Sequence, residues 1–350
     1  MPNKEYFITN ENLQKFAAQL LIGAKVIAPI KFGNNNIIDE ITIETVKDIN
    51  LNGFRTIEPL KSYLFKLIER VSTYFEGDVN PKPEKLVFFG ARGCDIEAIE
   101  VLDYVYTQGE IKDSFYANNR AELTIIGADC TDCGRTCFCT MVNGKPYPIK
   151  MFDLNLTPVK DGYIVEIGTD KGRALIEANP ELFEEAAKER ANEKVKLRMN
   201  VADLLAKNNA NYKVKLELKE IHQRNLENKA WKMLTKDCVE CSACNFACPT
   251  CTCFLLLDQK AGEGGKRDKV WDACLKAGYT RVAGGSNPRG SLFQRLQNRY
   301  QCKFDYSHDR LGRYTCVGCG RCIDGCCGNI DMRKIFVELE KQVPLTAKLK

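Results

Sequence analysis

Two cysteine runs constrain this chain more than anything else in its sequence. One is Cys238-x-x-Cys241-x-x-Cys244-x-x-x-Cys248, followed by Pro249; the other is Cys316-x-x-Cys319-x-x-Cys322-x-x-x-Cys326, followed by Cys327. Such spacing suits an iron–sulfur cube. Two residues between cysteines let a tight loop wrap three corners, and the longer step starts a helix that carries the fourth sulfur to another cluster. The runs therefore predict two [4Fe–4S] clusters with crossed ligands. Cys238, Cys241, Cys244 and Cys326 are expected on one, and Cys316, Cys319, Cys322 and Cys248 on the other.

Other uses of cysteine fit poorly. Disulfide frameworks belong to short secreted chains, whereas this one has 350 residues and an N-terminus, Met1 to Asn12, without a secretory pattern. Structural zinc favours separated Cys-x-x-Cys pairs, often with histidine, and His222 and His308 stand at no such spacing. The 18 cysteines imply a reducing, cytoplasmic setting, and an anaerobic one because exposed cubes are destroyed by oxygen. With 44% hydrophobic and 28% charged residues the composition is that of a globular protein. No run approaches the ~18 apolar residues that span a bilayer. A net charge of +5 permits docking to an acidic protein but is too small and scattered to argue for nucleic acid. Rossmann, Walker and HExxH patterns are absent, so flavin and NAD(P)H are expected on another chain.

The length suggests two domains. In the first, residues 10–30 read as an amphipathic helix and a short apolar strand, Lys25 to Ile30, followed by a polar connection over Phe32 to Ile37 and a helix over 58–76. Lys85 to Gly90 reads as a buried strand, with Asp95 capping a helix that runs to Tyr106. Leu123 to Gly127 forms a second buried strand leading into Cys130, so cysteines stand at two strand ends, where α/β sheets place ligands. Residues 150–168 alternate like antiparallel strands, and 178–209 read as charged helix. A boundary is expected near residue 212, giving an α+β chain: an α/β domain over 1–212 and an α-helical ferredoxin-like domain over 213–350. In the second domain a helix from Glu217 to Lys236 delivers the chain to Cys238, and the long insert 249–315 is assigned helices at 251–259, 267–278 and 290–301.

The remaining cysteines are grouped. Cys94, Cys130, Cys133, Cys137 and Cys139 fall in the first domain, and Thr136-Cys137-Phe138-Cys139 recurs as Thr250-Cys251-Thr252-Cys253. Free cysteine often serves as a small buried hydrophobe, but a Cys-x-Cys pair at strand ends can give two ligands to one centre. A third [4Fe–4S] cluster is expected on Cys94, Cys130, Cys137 and Cys139, with Cys133 the extra thiol. Cys251, Cys253 and Cys274 fall one short of a full set. Arg92, Arg135 and Arg321 lie beside ligands, where positive charge would raise a cluster's potential. His222, in a charged helix, reads as a surface residue.

Taken together, Phe89-Gly-Ala-Arg-Gly-Cys94-Asp-Ile96, Thr136 to Cys139, Cys248-Pro-Thr-Cys-Thr-Cys253, Trp271 to Cys274, Val282 to Gly285 and Cys316 to Cys322 resemble the A subunit of anaerobic sulfite reductase. The β subunit of cytoplasmic [NiFe] sulfhydrogenases is similar in the same places. The resemblance covers about residues 85–335. It implies an electron-transfer subunit rather than a catalytic chain, relaying electrons between a flavin-binding NAD(P)H reductase subunit and a terminal subunit. Sulfite reduction is the preferred terminal reaction, with a [NiFe] sulfhydrogenase, another flavin-linked complex or a free carrier as alternatives. Cys94, Cys130, Cys137 and Cys139 each fall on a family cysteine and Cys133 does not. Cys327 stands where the family has proline, which opens the choice between Cys326 and Cys327 as ligand.

Overall fold

The computed structural model describes residues 5–74, 77–79, 83–262 and 264–342. The chain divides into two compact units, residues 1–65 with 80–207, and 66–79 with 208–350. The segment 66–79, expected inside the N-terminal domain, thus belongs to the second unit.

Among the described residues twelve strands run in chain order as β1 (Tyr6–Thr9), β2 (Lys25–Phe32), β3 (Asn35–Glu40), β4 (Ile68–Thr73), β5 (Gly77–Asp78), β6 (Leu86–Ala91), β7 (Leu123–Ala128), β8 (Leu154–Val159), β9 (Gly162–Ile167), β10 (Glu184–Glu185), β11 (Phe254–Ala261) and β12 (Gly264–Trp271). Eight of them form the sheet of the first unit, in the order β10-β1-β9-β8-β7-β6-β2-β3. β2, β6, β7 and β8 are parallel, and the outer pairings are antiparallel. β6 and β7 are buried along their whole length, as central parallel strands covered on both faces must be. Val26, Val87, Phe89, Ile126, Leu154 and Val165 share one core with Phe16 of the helix Asn10–Leu20. Gly90 sits at φ +85°, where the β6–β7 register slips, and a Cβ there would meet the Leu51 side chain at 2.5 Å. That bend turns the chain out of β6 into Arg92 and the helix Gly93–Asp103.

The second unit holds a four-stranded sheet, β11-β12-β4-β5, and a helical layer. Trp231 is fully buried, with Tyr300 edge-on at 5.4 Å, and Phe304 meets Phe336 edge-on at 4.7 Å. These rings join the helices Ala230–Leu234, Leu292–Gln301 and Met332–Lys341 and the turn Cys302–Tyr306 into a core under the cysteine loops.

Several sequence expectations give way. The insert is not all helical: 251–259 falls largely on β11, 267–278 runs from the end of β12 into turns, and only the helix near 290–301 is present. The apolar run Phe254 to Leu257 meets the Gly-rich turn at Gly262 (φ +60°), and the return strand pairs in strict register. The helix assigned to 58–76 shrinks to Lys61–Leu64, because the following residues become β4 and pair with β12; Phe75 and Glu76 lie outside the described residues. A buried Lys269–Glu69 ion pair of 2.6 Å and an Arg70–Asp268 pair of 2.5 Å bind those strands across a distance in sequence that no local pattern reveals. Residues 35–40 are strand rather than connection. Arg92, not Asp95, is the N-cap of the helix after β6. The helix from Glu217 breaks into Leu218–Arg224 and Ala230–Leu234, and His222 is fully buried rather than exposed.

Candidate metal centres

The two cysteine runs fold alike. In the first, Glu240 and Ser242 adopt positive φ (54° and 63°); in the second, the equivalent Gly318 and Gly320 do so (62° and 76°). Each loop then enters a one-turn helix, Ala243–Phe246 or Arg321–Asp324, whose second residue is the third cysteine. Left-handed backbone is unfavourable for non-glycine residues by roughly 1–2 kcal/mol, so its recurrence at matched positions marks a shape that both loops need.

Sulfurs of the two runs come together. A pocket of about 510 Å³, open to solvent, is lined by Cys238, Cys241 and Cys244 of the first run and by Cys322 and Cys326 of the second; Cys248 does not line it. Burial raises the thiol of Cys238, and its thiol neighbours are Cys244, Cys326 and Cys241. Burial pushes Cys316 up to about 12, and its thiol neighbours are Cys248 and Cys319; Cys322, raised by burial too, faces Cys316, Cys319 and Cys248. The first set reaches solvent at Cys241, whereas Cys248, Cys316 and Cys319 are buried. Cys326 lines the cavity and receives the Ile330 N–H at 3.3 Å, while Cys327 is exposed. Among the described residues no group of three or more Cys, His, Asp or Glu is arranged around a single ion. The four thiolates of a cube bind four separate irons rather than one ion.

Between the two sets lies positive charge that sequence reading missed. Arg299 is 2% exposed and Lys303 is 3% exposed. Burial works against both charges, yet thiols hold both pKa values raised: Cys244, Cys251, Cys322 and Cys248 around Arg299, Cys248 and Cys251 around Lys303. Arg299 lines the cavity and donates from Nη2 to the Cys244 carbonyl at 2.7 Å, while its Nε and Nη1 have no hydrogen-bond partner. Buried charge without a counter-ion is strongly unfavourable. Sulfide-rich anionic cubes would satisfy both groups, so the residues present fit the clusters. The available signal was the i, i+4, i+8 spacing of Arg295, Arg299 and Lys303 along one helical face, buried throughout. Of the three arginines singled out by position, Arg92 and Arg321 are buried and Arg135 is exposed.

In the first unit, Cys130 follows β7 directly. Cys137 and Cys139 pack with Val201 and Leu205 of the helix Lys188–Asn208, with Cys130, Cys133 and Phe54 against them. Burial pushes Cys130 up to about 12 and raises Cys139 further, and Cys130, Cys137 and Cys139 act on one another. Cys94 lies in the first turn of the helix Gly93–Asp103, whose Glu97 acts on Cys139. Cys133 sits in the same cluster of side chains, so position alone does not separate it from Cys94. The strand ends are held by charge: Asp129 accepts from Asn155, Thr157 and Arg198 at 2.9, 2.8 and 2.7 Å, and Arg92 donates to the carbonyls of Asp129 and Leu51. The Thr136 hydroxyl is buried without a partner, as expected beside a polar group that the protein atoms do not supply.

Residues 237–330 match the family model of a 4Fe–4S dicluster domain. Across 95% of this chain and 97% of the relative, the sequence is 29% identical to sulfhydrogenase 2 subunit beta of Pyrococcus furiosus. The chain thus resembles that subunit nearly end to end and carries a 4Fe–4S dicluster domain. It is also 21% identical over 179 residues to the F420-dependent formate dehydrogenase subunit beta of Methanocaldococcus jannaschii, covering 51% of the chain and 39% of that protein. No solved structure matches the chain. Both named relatives are subunits of larger oxidoreductases, and the chain is accordingly an iron–sulfur electron-transfer subunit. No helix among the described residues is long and apolar enough to cross a membrane.

Proposed function

We propose that the chain is a cytoplasmic relay subunit holding two [4Fe–4S] clusters with crossed ligands and a third in its first unit. The observation that carries the reading is the pocket that brings Cys326 of the second run together with Cys238, Cys241 and Cys244 of the first, beside the buried Arg299, whose Nε and Nη1 have no hydrogen-bond partner. Cys238, Cys241, Cys244 and Cys326 hold one cluster, Cys316, Cys319, Cys322 and Cys248 the other, and Cys130, Cys137 and Cys139 with Cys94 the third. When bound, the cubes supply one-electron oxidation and reduction over a potential range the protein sets. The paired loops supply the thiolates, Arg299 and Lys303 supply positive charge that favours added electrons, and the aromatic core beneath excludes water. Cys241 and Val239 bring one edge of the first set to solvent, which suits it for contact with a redox partner.

The partners are a flavin-binding NAD(P)H reductase subunit and a terminal catalytic subunit. Near-full-length similarity to a sulfhydrogenase beta subunit favours a hydrogenase-type terminal subunit; the sulfite reductase preferred from the motifs is the second reading, carried by those motifs alone. Anaerobic affinity purification of the tagged chain from cells that make it tests this. Co-purification of a [NiFe] subunit supports the first reading and a siroheme protein the second. A colourless protein free of iron and partners overturns both.

A further inference from the structure

Three thiols of the second unit stand outside the two cluster sets and are nonetheless gathered. The hairpin explains how. Phe254 of β11 pairs with Trp271 of β12, and one step beyond, the Asp272 N–H donates to the Cys253 carbonyl at 3.0 Å. Register at the open end of the hairpin therefore delivers Cys253 and Cys274 to one place, where each thiol acts on the other. Asn245 reaches in from the first cysteine loop: its Nδ2 donates to Cys274 at 3.2 Å and approaches Cys251 at 3.8 Å. The Tyr279 hydroxyl neighbours Cys253. On the far side, Cys251 neighbours Cys248 of the buried set, and Lys303 donates to Thr250 at 2.9 Å. Among the described residues Lys303 pairs with no carboxylate, so thiolate charge on this side is what can neutralise it.

We propose that Cys251, Cys253 and Cys274 hold a further iron–sulfur cluster, ligated by three thiolates, with the Tyr279 hydroxyl at the fourth corner and Asn245 donating to its sulfurs. It adjoins the set that contains Cys248 and goes beyond the three-cluster relay. Loading is transfer of a ready-made cube from a thiolate-held donor: three iron–thiolate bonds break on the donor and three form here, the three thiol protons pass to the donor's thiolates, and the oxidation state of the cube is unchanged. Cys-x-Cys supplies two corners from one turn, and the hairpin returns the third. An oxygen donor or an open corner sets this cluster apart from the all-thiolate cubes, since its iron at that corner is the one most readily lost.

The test uses the full chain, purified anaerobically or reconstituted with ferrous iron and sulfide. The Cys253→Ala/Cys274→Ala double variant is expected to lose about four iron per chain relative to the wild type, with the paramagnetic signals of the two ferredoxin-type sets retained. Unchanged iron in a variant that keeps those signals overturns the inference, as does a Cys253–Cys274 disulfide in the anaerobic wild type. Loss of the ferredoxin-type signals in the wild type would instead overturn the relay reading, so the two failures are distinguishable. A second measurement does not depend on that variant folding. Mild oxidation of the wild type should yield the near-isotropic signal of a three-iron cluster, and Tyr279→Cys, by supplying a fourth thiolate, should reduce it several-fold. No such signal from the wild type, or an equal one from Tyr279→Cys, overturns the assignment.

Discussion

Arg299→Met offers the most direct test of how the protein sets its clusters' potentials. The guanidinium is 2% exposed, lines the cavity of the first set, and acts on cysteines of both sets. Full burial means that solvent screens it little. At about 5 Å and an effective dielectric of about 20, one unit charge acts on another with roughly 3 kcal/mol. For a one-electron couple roughly 1.4 kcal/mol corresponds to 59 mV, so the whole effect on one cluster would be about 140 mV, and about half that where the charge is shared between two. Methionine keeps most of the apolar stem and removes the charge together with the donor to the Cys244 carbonyl. Both midpoint potentials should therefore fall by roughly 70–140 mV, read by anaerobic redox titration followed by electron paramagnetic resonance. Arg299→Lys, which keeps the charge, should move them by less than half as much. Potentials unchanged in a fully loaded Arg299→Met protein would refute the reasoning, because a buried cation beside both sets cannot then be what tunes them.

Crossed ligation makes a paired expectation: Cys326→Ser should alter the same spectroscopic signal as Cys241→Ser, and Cys248→Ser the same signal as Cys319→Ser; joint effects of Cys248 and Cys241 would reverse the assignment. Cys137→Ser should leave both dicluster signals intact while slowing electron delivery between the flavin partner and the terminal subunit, and full turnover with unchanged iron would make the first unit's cysteines packing residues. Burial holds the His222 imidazole below its ordinary 6.5 against the pull of Asp305. The unfolded chain therefore takes the proton first, and stability is complete above about pH 6.5 and lost below it, by at most about 1.4 kcal/mol per pH unit. The denaturant midpoint of His222→Phe should show a shallower acid slope than the wild type, and equal slopes would place that acid sensitivity elsewhere. Phe304→Ala, which empties the ring cluster under the loops, should destabilise the second unit by about 3–5 kcal/mol, measured by thermal unfolding under anaerobic conditions.

Much of this was legible from local pattern. A Cys-x-x-Cys-x-x-Cys-x-x-x-Cys run states its loop and its following helix within eleven residues, and both runs fold that way. The largely apolar β6 and β7 state their burial as parallel strands in the same manner, and Cys94 and Cys130 follow within three residues of the strand ends. Failures came where a distant partner decided the outcome. The segment 68–73 has enough helical character to mislead, and it becomes strand because β12 offers a pairing edge and a buried countercharge at Lys269. His222 and Arg299 look like solvated members of charged helices, and only packing turns those faces inward.

The sequence by itself determined the chemistry of the chain, because thiol spacing is fixed by bond lengths and loop geometry within each run. It also determined where in the chain the clusters' ligands come from. Which sulfurs meet, which basic residues lie buried between them, and whether Cys251, Cys253 and Cys274 converge were decided only by tertiary structure. Those relations join residues that are far apart in the chain, and they are set by hairpin register, helix packing and the need to neutralise buried charge.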